Sequence, residues 1–222
     1  MKKKIFLSLV LMLMCTILFG CEGSVLANVK KNMSECAKVY YFGENENFYC
    51  NISSGLREKE YFMDGQVTGC VDYALVSLHF FNQERSGAIS VEVSIDDKTK
   101  TYEMEFNSLN GNFMVDLEKE LSGSERVAVK FANESLDLQC VSNDFGVDYD
   151  KVLEIASKEM KGKIELKKEY SKLNCEMYLR VLDKKANGSE EIFWCFTVLN
   201  CDNENYSIVI STKDGSILAK SN

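Results

Sequence analysis

Short runs of alternating apolar and polar residues most constrain what this 222-residue chain can fold into. In TYEMEF, Tyr102, Met104 and Phe106 share one side and two glutamates share the other, which is the period of a half-buried strand. CVDYALVSLHFF, residues 70–81, is apolar on both faces, as in a central strand. Three more runs alternate in the same way: Val91, Val93, Ile95; Val127, Val129, Phe131; Leu136, Leu138, Cys140.

Turn-forming pairs separate these runs at close spacing. They are Asp64-Gly65, Ser86-Gly87, Asp96-Asp97, Asn110-Gly111 and Ser122-Gly123. Short strands joined in this way predict an all-β, antiparallel sandwich of Ig-like architecture over residues 36–145. The Ig-like label is architectural only, because Trp194, the chain's one tryptophan, lies outside that range.

The apolar period changes after residue 146. VDYDKVLEIASKEMKG has helical spacing at Val152, Ile155, Ala156 and Met160, with Asp148 or Asp150 as the N-cap and Gly162 at the end. Strand-like segments follow: Ile164 with Leu166, then CEMYLRVL, EIFWCFTVL and YSIVIS. We therefore expect a small α+β domain over residues 146–222, with one helix packed on an antiparallel sheet.

Three segments of this half, KVLEIASKEM, FWCFTV and YSIVISTKDGSIL, are similar to a PepSY-type domain of exported and membrane-anchored bacterial proteins. Gly215 and Ile217 match the closing motif of that family, whereas Ser211 stands at its Asp and Asp214 at its Thr. The resemblance covers about a third of the chain. It implies a helix-plus-sheet module without catalytic activity that inhibits or controls a peptidase.

The N-terminus carries an export signal. Three lysines at positions 2–4 precede the uncharged apolar run of residues 5–19, which is too short for a comfortable membrane span, so residues 1–20 are a predicted signal peptide. The end of the run, LFGC, resembles the lipobox of bacterial lipoproteins. Leu18 and Gly20 match that pattern, and Phe19 is bulkier than its usual residue.

The lipobox resemblance implies that Cys21 becomes the lipidated first residue of the mature chain, with residues 21–35 as a tether. Several acyl chains, such as palmitate, on one cysteine hold a protein at the membrane, because each buried methylene contributes about 0.8 kcal/mol. The protein would then lie on the outer side of the cell membrane. Cleavage after Ala27 is the alternative, which would release a secreted protein beginning at Asn28.

Nine cysteines occur, of which Cys15 would leave with the signal peptide and Cys21 would carry lipid. Seven then remain, and an odd number cannot pair fully within one chain. Cys195 and Cys201 flank a short segment and are a possible disulfide, since an exported protein can hold one.

Composition and motifs exclude several function classes. The net charge of −8, without a cluster of Lys and Arg beyond the N-terminus, argues against nucleic-acid binding. His79 is the one histidine, and with Ser77 it is the best candidate for a hydrolytic site, yet a half-buried strand histidine explains it more simply. The acidic turns lack the spacing of a calcium loop, and no nucleotide-binding motif occurs. We expect no catalytic residue, no cofactor and no metal.

Aromatic residues offer one possible binding patch. The residues Tyr40, Tyr41, Phe42, Phe48 and Tyr49 crowd around the GENEN turn, where they suit a peptide or a carbohydrate. The sequence thus predicts a non-catalytic surface lipoprotein that binds or regulates a protein partner such as an exported peptidase. The alternative is a surface protein that binds a solute, peptide or glycan through these aromatic residues.

Overall fold

The structure, a computed structural model, describes residues 25–59, 67, 69–81, 87–166, 168–169, 172–173, 175–183, 185, 188, 191–200 and 204–221. These residues lie mostly in strands: β1 (Met33–Glu44), β2 (Phe48–Glu58), β3 (Cys70–Phe80), β4 (Ile89–Ile95), β5 (Lys98–Asn107), β6 (Asn112–Asp116), β7 (Val127–Phe131), β8 (Glu134–Cys140), β9 (Lys168–Glu169), β10 (Lys172–Leu173), β11 (Cys175–Leu182), β12 (Phe193–Asn200), β13 (Asn205–Ser211) and β14 (Ile217–Ser221). The helical elements are α1 (residues 25–31), a 3-10 helix (Val141–Asp144), α2 (Tyr149–Glu159) and α3 (Lys161–Leu166).

The first eight strands close into an antiparallel barrel. Their order around the ring is β1-β2-β3-β6-β5-β4-β7-β8, and each strand is hydrogen bonded to the next. The ring closes because β8 pairs with the second half of β1, where Tyr41 lies opposite Cys140 and Phe42 opposite Gln139. The predicted Ig-like sandwich is therefore wrong, since a sandwich keeps two separate sheets and this region forms one closed sheet.

Alternating side chains of the barrel strands fill its interior. Val91 and Val93 of β4 point inward with Val127 and Val129 of β7, and all four are almost fully buried. Met104 of β5 is buried in the same core. The period-two patterns of the sequence thus predicted the strands and their inner faces, although not the closure of the ring.

The barrel has two distinct ends. The upper end carries the turns at residues 45–47, 108–111 and 132–133, and the lower end carries the turn at residues 96–97. β6 and β7 are three places apart in the ring, so the connection of residues 117–126 crosses the lower end. Leu117 and Leu121 of this connection are buried in the barrel core, so it acts as a plug.

β1 also belongs to a second part of the sheet. Its first half runs parallel to β11, with Met33 opposite Met177, and β12, β13 and β14 follow as antiparallel neighbours. The three α-helices contribute to one core with this sheet, which contains Val29, Leu153, Ile164, Trp194 and Phe196. The prediction of an α+β domain that follows a sandwich is wrong, because β1 joins barrel and C-terminal strands into one twelve-stranded sheet.

The main helix forms where its sequence period predicts it. Asp148 is the N-cap, and its carboxylate accepts a hydrogen bond from the backbone N–H of Lys151 at 2.8 Å. The predicted end at Gly162 is wrong, since α2 ends at Glu159 and Gly162 lies inside α3. Ile164 is also helical, not part of a strand. Among the described residues, no helix is long and apolar enough to cross a bilayer.

Candidate binding surface

The alternation of β1, β2 and β3 sorts their aromatic side chains onto two faces. Tyr41 and Phe48 face the barrel core and are at most 1% exposed. Their sequence neighbours Phe42 and Tyr49 lie on the outer face, and His79 of β3 stands directly opposite Tyr49. On these strands, an aromatic residue next to an inward-facing core residue therefore lies on the outer face.

Four of these outward rings form what we call the outer-face cluster, Phe42, Tyr49, His79 and Phe81. Tyr49 is its centre, with ring centroids 6.1 Å from Phe42, 5.0 Å from His79 and 5.8 Å from Phe81. The first two pairs are stacked. Phe81 is 38% exposed, and the other three are partly exposed. The cluster is thus a row of rings whose faces and edges reach solvent.

The segment after β11 lies against this cluster from the side of the C-terminal sheet. The Lys185 ammonium is 5.1 Å from the ring centroid of Phe81 and 6.0 Å from that of Tyr49, and it pairs with Glu44 at 2.9 Å. A cation and a carboxylate therefore border the aromatic row.

Asp183 fixes that segment to the barrel. It is 4% exposed, and it accepts hydrogen bonds from the Tyr40 hydroxyl at 2.5 Å and the Asn51 side-chain amide at 3.1 Å. Burial, followed by the nearby Asp183 carboxylate, raises the pKa of Tyr40 well above its usual value. Burial and Asp183 also raise the pKa of Tyr49, so both phenols stay protonated at neutral pH.

Polar side chains continue the cluster along β3 and β6. The Asn112 amide joins two neighbours: its oxygen accepts from Nδ1–H of His79 at 2.9 Å, and its nitrogen donates to Oγ of Ser77 at 2.9 Å. Asn112 thus stands between Ser77 and His79. The two residues considered for a hydrolytic site, Ser77 and His79, are therefore linked through this one amide.

The structure divides the residues of the predicted aromatic patch. It brings Phe42 and Tyr49 together on the outer face, places Tyr41 and Phe48 in the core, and buries Tyr40 beneath Asp183. Sequence reasoning did not assign Phe81 or Lys185 to this surface. Phe81 could have been found from the run CVDYALVSLHFF, which is apolar on both of its faces. Lys185 could not, because it follows β11, which is distant in sequence.

Two other predicted sites lie partly or wholly outside the described residues. Cys21 is outside them, as is Cys201. Cys195 forms no disulfide with any of the described cysteines, and its Sγ lies 3.8 Å from Oγ1 of Thr197. The disulfide between Cys195 and Cys201 therefore stays a prediction.

Two further thiols, those of Cys36 and Cys50, lie in the core. Burial raises the pKa of the Cys36 thiol to about 12 and that of Cys50 further, which keeps both thiols protonated. In the described part of the chain, no three His, Cys, Asp or Glu side chains are grouped so that they could hold a metal ion.

Comparison with protein-family models, curated proteins and solved structures finds no match to this chain.

Proposed function

We propose that this chain is a non-catalytic, lipid-anchored surface protein that binds a protein partner through the outer-face cluster. The observation that carries the proposal is the row of partly exposed rings centred on Tyr49. Aromatic rings with a polar border are enriched at protein interfaces, because they bury a large apolar area at a small cost in side-chain entropy. The row stands on paired strands, so it is organised before a partner arrives.

The position of α1 supports lipidation at Cys21 over cleavage after Ala27. Val25 is 7% exposed and packs in the C-terminal core, and Leu26 packs against the same core. Cleavage after Ala27 would cut α1 and remove both side chains, whereas cleavage before Cys21 keeps them. Cys21 lies four positions before the buried Val25, and four residues span about 14 Å at most, so an anchored chain would hold this end of the C-terminal core close to the membrane.

An exported peptidase is the partner class that the PepSY resemblance suggests. Its inhibition would rest on binding through the outer-face cluster. The purified chain should bind a peptidase of the same surface and slow its hydrolysis of a peptide substrate. If it neither binds nor slows any such enzyme, regulation of a peptidase is excluded, while the anchor is unaffected.

A glycan is the second candidate ligand, favoured by the polar strip beside the rings. The imidazole of His79 stacks on Tyr49, and the Asn112 amide that bonds His79 adds a second polar group beside the rings. Carbohydrate binding combines such hydrogen-bonding groups with an aromatic surface for the sugar ring. This ligand would use the same cluster, so it requires a separate binding assay.

One set of variants tests binding and identifies the ligand class. Arrays of peptides and glycans are probed with the wild type, with Phe42→Ala/Tyr49→Ala, and with Leu218→Ala as the control at an exposed apolar residue on β14. We expect the double variant to lose binding at least tenfold and the control to keep it. Equal binding by all three proteins would contradict a role for the cluster.

The anchor is tested by expressing the wild type, Cys21→Ser and Cys15→Ser in a bacterial host. We expect the wild type and Cys15→Ser to partition into detergent, and the intact mass to show a lipidated N-terminus at Cys21. Cys21→Ser should stay in the aqueous phase. A wild-type chain that begins at Asn28 without lipid would refute the anchor.

A further inference from the structure

A cavity lies at the lower end of the barrel, away from the outer-face cluster at the upper end. It has a volume of about 480 Å³ and is lined by the ends of β4 and β5 and by the plug of residues 117–126. Small-molecule sites commonly have volumes of roughly 300–1,000 Å³ and often occupy the mouth of a β-barrel. The cavity therefore has the size and place of a ligand site.

The floor of the cavity is apolar. Val93 is 2% exposed and Leu121 is 1% exposed, and both belong to the barrel core. Ile95 and Tyr102 are partly exposed and extend this floor towards the opening. The apolar body of a ligand would bury these side chains further and would be stabilised in proportion to the area removed from water.

The acidic groups around the opening already have partners. Glu120 pairs with Lys38 at 2.6 Å, and Asp97 lies 3.6 Å from the guanidinium of Arg126. Asp96 accepts the backbone N–H of Arg126 at 3.0 Å. The fourth carboxylate is that of Glu125, at the base of the plug. It accepts hydrogen bonds from the backbone N–H of Ser122 and from the Tyr41 hydroxyl.

Three lysines lie around the opening. Within the part of the chain that the structure describes, Lys98, Lys100 and Lys119 form no ion pair. Lys100 lies 4.7 Å from the ring centroid of Tyr102, so its charge stands directly above the floor. The lining holds four carboxylates and three lysines, and two of these carboxylates are paired with Lys38 and Arg126 from outside the lining, which leaves the three lysine ammonium groups for a ligand.

From this geometry we propose that the lower mouth of the barrel binds a small organic anion with an apolar body, such as an aryl or alkyl carboxylate. The apolar part would lie on Val93, Ile95 and Leu121, and the carboxylate would meet the ammonium groups of Lys98 and Lys100. A neutral molecule of the same shape would keep the apolar contact and lose the charge interaction with the lysines. This site is independent of the proposed function, because no residue is shared with the outer-face cluster.

The test uses 4-phenylbutyrate and its neutral amide as probes for the full chain, followed by NMR titration. We expect the carboxylate to bind at least tenfold more tightly than the amide, with the largest shifts at residues around Tyr102. Lys98→Gln/Lys100→Gln/Lys119→Gln should remove that preference. Lys130→Gln, at a lysine that pairs with Glu92 on the barrel wall, should keep it.

A variant that fills the cavity separates charge from shape. Ile95→Trp should weaken binding of both probes at least tenfold, because the indole would occupy the apolar floor. Equal affinity of the two probes, binding by the triple variant as tight as the wild type, or no binding of either probe would each overturn the proposal.

Discussion

The Tyr41 hydroxyl donates a hydrogen bond to Oε2 of Glu125 at 3.0 Å, which joins the closing strand of the barrel to the plug across its lower end. Glu125 also accepts the backbone N–H groups of Ser122 and Gly123 at 2.9 and 3.0 Å. Tyr41 is fully buried, and burial first, then its bond to Glu125, raises its pKa. One ionised carboxylate thus organises the plug and ties it to β1.

Removing the tyrosine hydroxyl should loosen the plug. Tyr41→Phe keeps the buried ring and deletes the donor, and a hydrogen bond to a charged group contributes about 1.5 kcal/mol or more to stability. We expect that loss in the free energy of unfolding, measured with urea. Tyr206→Phe is the control, since Tyr206 bonds to Glu204 at 2.7 Å on an exposed part of the surface and should change stability little.

The Glu125 carboxylate should make the free energy of unfolding depend on pH in the acidic range. Burial alone would raise the pKa of Glu125, but hydrogen bonds from Ser122, its own backbone and Tyr41 outweigh burial and lower the pKa from 4.5 to about 2. Its contribution is therefore fully present above the unfolded value of 4.5 and is lost as the pH falls towards 2. The stability difference between wild type and Glu125→Gln should shrink over that interval. A difference that does not change with pH would contradict this role.

Two leucines compare the barrel core with its surface. Leu78 is fully buried and Leu109 is 95% exposed at the upper end. Leu78→Ala should cost about 2–5 kcal/mol, because it leaves a cavity in the closed core. Leu109→Ala, the same chemical change, should alter the free energy of unfolding by no more than about 0.5 kcal/mol. Equal effects would mean that β3 does not face a packed interior.

Two glycines should respond to alanine in opposite directions. A Cβ on Gly146 would lie 2.0 Å from the carbonyl oxygen of Lys213, where the chain passes from the barrel to α2. Gly146→Ala should therefore destabilise the contact with the β13–β14 turn. Gly162 is exposed in α3 with no atom within 4 Å of such a Cβ, so Gly162→Ala should stabilise the protein by about 0.5–1 kcal/mol. Thermal unfolding of both variants measures the two signs.

Asp183 should couple the C-terminal sheet to the candidate binding surface. Asp183→Ala would leave the buried Tyr40 hydroxyl and the partly exposed Asn51 amide without this acceptor, at a cost of about 2 kcal/mol or more. Asp137→Ala, on an exposed position of β8, is the matched control and should cost little. Comparable unfolding curves for the two variants would exclude this coupling.

The sequence predicted local structure because local structure depends on near neighbours. Val127 with Val129 and Leu136 with Leu138 alternate as expected, and Asp148 caps the predicted helix. A barrel and a sandwich share this alternation, since each strand has one buried face in both. The pairing of Tyr41 with Cys140 distinguishes the barrel from the sandwich. It joins residues about a hundred positions apart, so the alternation of near neighbours does not predict it.

The candidate binding surface, like the fold, could be predicted only in part from the sequence. The aromatic density around Tyr49 was visible in the sequence, but the inward or outward direction of each ring depends on strand register. Asp183 and Lys185 meet this surface because β11 runs parallel to β1, a pairing between distant segments. The cavity at the lower mouth exists only because the ring closes, and the sequence did not predict closure.

The double pairing of β1, with β8 in the barrel and with β11 in the C-terminal sheet, is the arrangement on which the two proposed sites depend, and NMR distance measurements test it directly. In a labelled sample we expect backbone nuclear Overhauser effects between Tyr41 and Cys140 and between Phe42 and Gln139, together with effects between Met33 and Met177 on the other half of β1. This pattern would place β1 in both the barrel and the C-terminal sheet. If β8 instead showed no contact with β1 and its amides exchanged as a free sheet edge, the barrel would be open and the closed ring would be refuted.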